Sequence, residues 1–337
     1  MNNPKYELIK EPFYYNNRVL YRIKALRNFS SVKKGDLGGY IAHEGNLSHE
    51  GDCWVYDDAK VYDDAKVYDD ARMFGNAEVY DNAKVYNEAW VSGNAKVFNK
   101  AEVYDNVEVY DDAKVYGTSK VYGNTIVHHK SRVYDNAKVF GDAKVYNNAK
   151  VFGSAEVYNN ARVYQSAEVY NNAMVFGNAK VYGKAEVYNK AEVYGEAEVY
   201  GYAEICGIAH IFGIARVYCR AWVGEEAMVY GEANVFGESI VSGLSSVYGN
   251  AMVYGDSEIF GNAKVYDRAN VHGDTKIFGN SRVYGNAEVW GGSEIHSSEV
   301  YGSADVGGEV KVSANSKIYG NVRLRGELLI INEVIYE

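Results

Sequence analysis

Along most of this 337-residue chain, apolar and polar side chains alternate with a period of six. Stepping by six from Val55, every position up to Ile295 holds Val, Ile or Met, with no insertion or deletion. After a one-residue slip, Val300, Val306, Val312, Ile318, Leu324 and Ile330 keep the spacing. Two residues before each aliphatic sits a small side chain, nearly always Ala, with a few Ser or Thr and Cys53 at the outset. The residue between them is usually Lys, Glu or Arg. Small-in, charged-out, aliphatic-in is the alternation of a short β-strand. Tyr or Phe follows, then pairs such as Asp-Asp, Gly-Asn or Asn-Asn. Gly, Asn and Asp tolerate positive φ, so these pairs turn the chain. Six residues therefore make one strand and one corner. A helical period of 3.6 does not fit, and a fixed short period with strand chemistry predicts a β-solenoid.

The Ala-x-Val-Tyr-Gly-Asn-Ala unit resembles the hexapeptide repeat of left-handed parallel β-helices. What that resemblance implies is an all-β fold: a single-stranded left-handed parallel β-helix of about sixteen triangular coils, eighteen residues each, with a small N-terminal cap. The narrow interior explains the monotony. Every coil side must offer the same small and aliphatic residues, and each buried Val contributes about 1.5–3 kcal/mol. Residues 1–53 fall outside the repeat and are expected to cap one end, because an open coil exposes its apolar interior and strand edges. Their GDLGGYIAHEGNLSHEGDCWV stretch resembles a leader on some bacterial and phage-encoded hexapeptide-repeat proteins. Residues 54–324 form the expected β-helix, and 325–337, with ELLIINEVIYE, an apolar cap or pairing strand.

Charge narrows the partners. The formal net charge is −10; residues 1–53 carry +2 and the remainder −12. That balance argues against nucleic acid, whose binding needs neutralised phosphates. Outward Lys and Glu are freely mixed, as in Lys60, Glu78, Lys96, Lys114 and Arg132, which weakens any imitation of duplex DNA. Cys53, Cys206 and Cys219 form no CxxC pair and suit a reducing compartment. The start of the chain has no apolar signal core and no run has the length of a membrane span, so a cytoplasmic location is expected.

Candidate chemistry is sparse. Many hexapeptide-repeat enzymes are trimeric acyltransferases with a catalytic His near a subunit boundary and loops that break the repeat. Here 240 residues pass without one inserted loop. His128, His272 and His296 stand where other units carry Tyr, and His210 replaces a Lys or Glu; His128-His129 is the best catalytic candidate. No catalytic residue, cofactor or metal is assigned. The Asp pairs at Asp57-Asp58, Asp63-Asp64 and Asp69-Asp70 read as turn formers, since calcium needs six to eight oxygens converging on one point. One aromatic column with period eighteen runs from Tyr68 to Tyr284, and a stacked ladder is expected to stabilise the fold.

A second aromatic column breaks its rule. After Tyr170 and Tyr188 it reads Cys206, Gly224, Ser242. Two positions before the last two, outward charges give way to Trp222 and Ile240, and corners nearby carry Tyr202, Ile208, Ile214 and Leu244. Loss of the rings beside an exposed Trp predicts a shallow apolar depression. These nine residues, within 202–244, are the candidate docking or self-association patch. The expected function is a non-enzymatic structural or protein-interaction rod, with a protein partner or a homo-oligomer. The alternatives are an acyltransferase and a glycan-binding rod using its aromatic ladders.

Overall fold

The computed structural model describes residues 4–337 and is a parallel β-solenoid of about sixteen turns. It divides into two compact units, Met1–Ser166 and Ala167–Glu337. Most strands of the coils are only two residues long, the outward residue and the inward aliphatic. In each unit a coil has three sides. Face I begins at Lys60–Val61, face II at Lys66–Val67 and face III at Trp54–Val55. Strands of one face pair in parallel, eighteen residues apart, as Lys96 with Lys114 in the first unit and Glu204 with Trp222 in the second.

The interior is filled by the repeat. Ala and Val at the inward positions are buried from Ala59 onward, nearly all of them completely. Where Ser or Thr replaces Ala, its hydroxyl donates to the carbonyl three residues back, as Ser119 to Tyr116 at 2.9 Å and Thr275 to His272 at 2.7 Å. That bond removes most of the cost of a buried polar group. Backbone amides reach the coil above: Lys60 N–H donates to Ala77 O at 2.8 Å, and Asp58 N–H at the corner to Gly75 O at 3.1 Å. The first residue of each corner pair is left-handed, such as Asp57 (φ 52°) and Gly75 (φ 64°), which accounts for the Asp, Asn and Gly there.

The expected aromatic column on the corner between faces II and III is a ladder. In the first unit Tyr68, Tyr86, Tyr104, Tyr122, Phe140 and Tyr158 stack at 4.8–5.1 Å. In the second unit it runs from Phe176 past Tyr284 to Tyr301, Tyr319 and Tyr336. The sequence slip falls on the corner His296–Ser298, where Ser297 (φ 48°) turns the chain one residue early.

Before the coils, β1 (Tyr6–Tyr15), β2 (Arg18–Ala25) and β3 (Leu37–Ile41) form an antiparallel meander. The β1–β2 turn is Asn16-Asn17, both left-handed as a tight hairpin requires. β3 then pairs in parallel with Lys60–Val61 and joins the meander to face I. The approach is close enough to demand glycine: a Cβ on Gly39 would collide with Ala59 O and Val55, and one on Gly38 with Ile23, Val55 O and Trp54. Two polar side chains weld this junction. Buried Asn46 accepts from Ala42 and His43 N–H and donates to Asp63 O and Ala65 O, at 2.8–3.0 Å. Buried Lys5 donates to Glu50 O, Gly51 O, Cys53 O and Cys53 Sγ. At the other end of the sequence, Leu329–Ile331 and Val334–Tyr336 pair in register with Lys311–Ser313 and Lys317–Tyr319, and leave Leu329, Ile331, Val334 and Tyr336 exposed.

Candidate functional site

Face I of the second unit carries the break in the aromatic column. Trp222 lies between Glu204 and Ile240 in the strand register. Its indole folds along the face and over Gly224, where any Cβ would collide with three ring carbons. The indole therefore occupies the space left by the missing ring, and the expected depression is filled. Cys206, one coil earlier, is nearly buried, and burial pushes its thiol above the ordinary range. Tyr188 ends the intact part of the ladder; burial first, then its contact with Cys206, holds its hydroxyl well above the usual tyrosine range. Its hydroxyl also donates to Glu204 Oε2 at 3.4 Å.

Eight of the nine expected residues border face I. Trp222 is half-buried on it and Ile240 exposed on it. Ile208 and Leu244, 48% and 54% exposed, stand two coils apart on the corner leading to face II, with Glu226 between them. Tyr202, 56% exposed, stands on the opposite margin of the face, where Lys184 Nζ lies 4.9 Å from its ring centre. Cys206, Gly224 and Ser242 complete the column. Ile214 is elsewhere. It follows the face II strand His210–Ile211 and precedes the face III strand Arg216–Val217, so it lies on the corner that does not touch face I. The exposed apolar side chains around Trp222 and Ile240 are those of Tyr202, Ile208 and Leu244. The margin of this patch is acidic: Glu204, Glu225 and Glu226 are exposed, Glu238 is paired with Arg220 at 3.0 Å, and Lys190 is the neighbouring cation on the Ile208 corner.

The histidines are placed as follows. His43 caps the short helical turn Glu44–Asn46, and His49 stacks on Tyr6 at 4.3 Å. His210 faces Glu192 at 3.3 Å, while His272 stacks on Tyr254 and meets Glu288 at 3.1 Å. His296 is an exposed rung on Phe278. His128 and His129 are brought together on the first unit's corner between faces III and I, and Asp111 joins them from the coil below. The sequence reading missed Asp111, although eighteen residues separate it from His129. His128 is held between Tyr110 and Tyr146 at 4.7 and 5.1 Å; burial, then His129, lowers its pKa.

Among the described residues no helix is long and apolar enough to cross a membrane. Compared with protein-family models and with curated proteins, the chain matches none.

Proposed function

We propose that this chain is a non-enzymatic interaction protein, a cytoplasmic hexapeptide-repeat β-helix of bacterial or phage kind, that docks a partner protein on face I between residues 202 and 244. One observation carries the reading: outward positions of face I that hold Lys, Glu or Arg in most coils become Trp222 and Ile240, and exposed Tyr202, Ile208 and Leu244 flank them on the same side. The acidic margin selects the occupant. A second copy of the chain would bring carboxylates against carboxylates, whereas a partner segment with an apolar centre and basic flanks matches both features. Fully desolvated aromatic anchors dominate such contacts, so Trp222 is the expected centre of the binding energy.

Photo-crosslinking tests this. A benzoylphenylalanine placed at Ile240 is expected to trap a protein in native lysate that the same group at Lys264, on face II, does not. The purified partner is then expected to bind the wild-type chain in a salt-sensitive way and to lose affinity for Trp222→Glu. Equal binding by Trp222→Glu overturns the reading, and so does sedimentation showing that the patch joins two copies of this chain.

A further inference from the structure

We infer that Asp111, His128 and His129 form a binding site for one divalent transition-metal ion. The Nδ1 atoms of His128 and His129 lie 2.6 Å apart. Two imidazole lone pairs do not face each other bare at that distance; something positive must lie between them, either a shared proton or a cation. A carboxylate oxygen of Asp111 lies 3.6 Å from His129 Nδ1 and also accepts the His129 backbone N–H at 3.2 Å. One ligand atom from each of the three residues falls within 4.8 Å of the others. Metal–nitrogen and metal–oxygen bonds of about 2.0–2.2 Å reach donors up to about 4 Å apart, so one ion would draw the three side chains together while the two nitrogens part to about 3 Å.

The scaffold holds each donor by a different device. His128 is a rung of the face III aromatic column, so stacking on Tyr110 and Tyr146 fixes its ring plane. His129 takes the left-handed corner position (φ 58°), which swings its ring back over His128. In the first unit this corner position is Asp, Asn or Gly in nearly every coil; His129 and Gln165 are exceptions, and both lie in the column Asp111, His129, Asn147, Gln165. Histidine, like Asp and Asn, enters the left-handed region more readily than most side chains, so the corner holds His129 without breaking the coil. That column lines an open groove of about 580 Å³ together with Asp112 and Lys130. Water or a further ligand thus reaches the ion from the outer side.

The donor set chooses the ion. Two imidazoles and one carboxylate suit Zn²⁺, Ni²⁺ or Cu²⁺, whereas Ca²⁺ and Mg²⁺ prefer oxygen. Because Asp111 and His129 belong to successive coils, a bound ion also pins one coil to the next.

The test uses the full-length untagged protein, stripped with chelator and titrated calorimetrically with NiCl₂, ZnCl₂ and CuSO₄. Three substitutions copy residues that other coils carry at the same places and leave the fold intact: Asp111→Asn, His128→Phe and His129→Asn. One ion per chain is expected, each substitution weakening binding by about tenfold or more, with Cu²⁺ electron paramagnetic resonance reporting two nitrogen donors. Added metal should raise the melting temperature of the wild-type chain and not of His129→Asn. Cys219→Ser and His210→Lys are expected to bind as wild type does. Absence of stoichiometric binding overturns the proposal, as does undiminished binding by His128→Phe and His129→Asn or loss of binding in Cys219→Ser.

Discussion

Adding a single methyl group at Gly224 should expel Trp222 from face I. The backbone at Gly224 lies outside the left-handed region, so Ala is acceptable to the main chain and the only obstacle is the indole. The added Cβ falls well inside van der Waals contact of three ring carbons, and the strand Trp222–Val223 is tied on both sides by its register with Glu204 and Ile240. The ring must rotate away. A buried indole covers 150–250 Å², and Trp222 is already partly exposed, so loss of about 100 Å² of contact at about 25 cal/mol/Å² costs about 2.5 kcal/mol. Regained rotamer freedom returns about 0.5–1 kcal/mol, leaving a net destabilisation of about 1.5–2 kcal/mol. Fluorine NMR of the 5-fluorotryptophan protein should show four resonances, for Trp54, Trp90, Trp222 and Trp290. Trp222→Phe assigns the one of interest. In Gly224→Ala that resonance alone should move to a solvent-exposed shift. In a Trp222→Lys background, Gly224→Ala should cost almost nothing, since the clash has no second party. An unmoved Trp222 resonance, or an equal cost in both backgrounds, would refute the packing argument.

Asn46→Asp should loosen the meander: two donors become acceptors aimed at Asp63 O and Ala65 O, a loss of about 2–4 kcal/mol that hydrogen exchange should localise to β1–β3 and the first coil. In acid the same region should open first. Arg18 holds the Asp63 carboxyl below its usual range; at Glu78 burial pushes upward, but hydrogen bonds from Lys96, Tyr62 and Tyr15 outweigh it. Both folded values lie below the unfolded ones, so this attachment is complete above about pH 4.5 and is lost as pH falls through the depressed values, which amide exchange between pH 6 and 3 would follow. In alkali the ladders should resist: burial pushes Tyr80 and Tyr284 up to about 12, so their contribution is intact below pH 10 and is lost as pH rises from 10 through 12, read as late tyrosinate absorbance at 295 nm.

The coils were legible because two constraints act on every sixth residue at once. An inward position of a narrow shaft admits only small or β-branched side chains, and a left-handed corner admits Asp, Asn or Gly at least cost. The column from Tyr68 to Tyr284 was legible for the same reason, since identical residues eighteen apart must lie one above another. Of the meander only β2 was legible, since RVLYRIKAL reads as a strand. Lys5 and Asn46 lie in a segment without period, and nothing in a polar side chain announces that its partners are carbonyls seventeen or more residues away. The glycines of GDLGGY gave a resemblance, while their cause, the approach of β3 to Val55 and Ala59, is a tertiary fact.

The candidate site shows where reading by nearness in sequence fails. Six residues along a coil carry the chain to a different face, and eighteen bring it back. Tyr202, Ile208 and Ile214 are neighbours in the sequence yet occupy three different corners, and face I lies between the first two alone. Asp111 and His129 are far apart in sequence yet touch. In the sequence Trp222 reads as a charge lost and Gly224 as a ring lost, two separate changes. In the coil they are one exchange, because the side chain gained at one position lies on the glycine left at the other. Trp290 repeats the device one coil step apart: its indole rests on Gly307, donates to Asp305 at 3.0 Å and is covered by Arg325 at 4.7 Å. Both indoles are half-buried, but Trp290 carries that guanidinium on its ring, whereas Trp222 has an exposed Ile240 beside it. Of two indoles seated by the same rule, Trp222 has the apolar neighbour, which is why the proposed docking surface is centred on it.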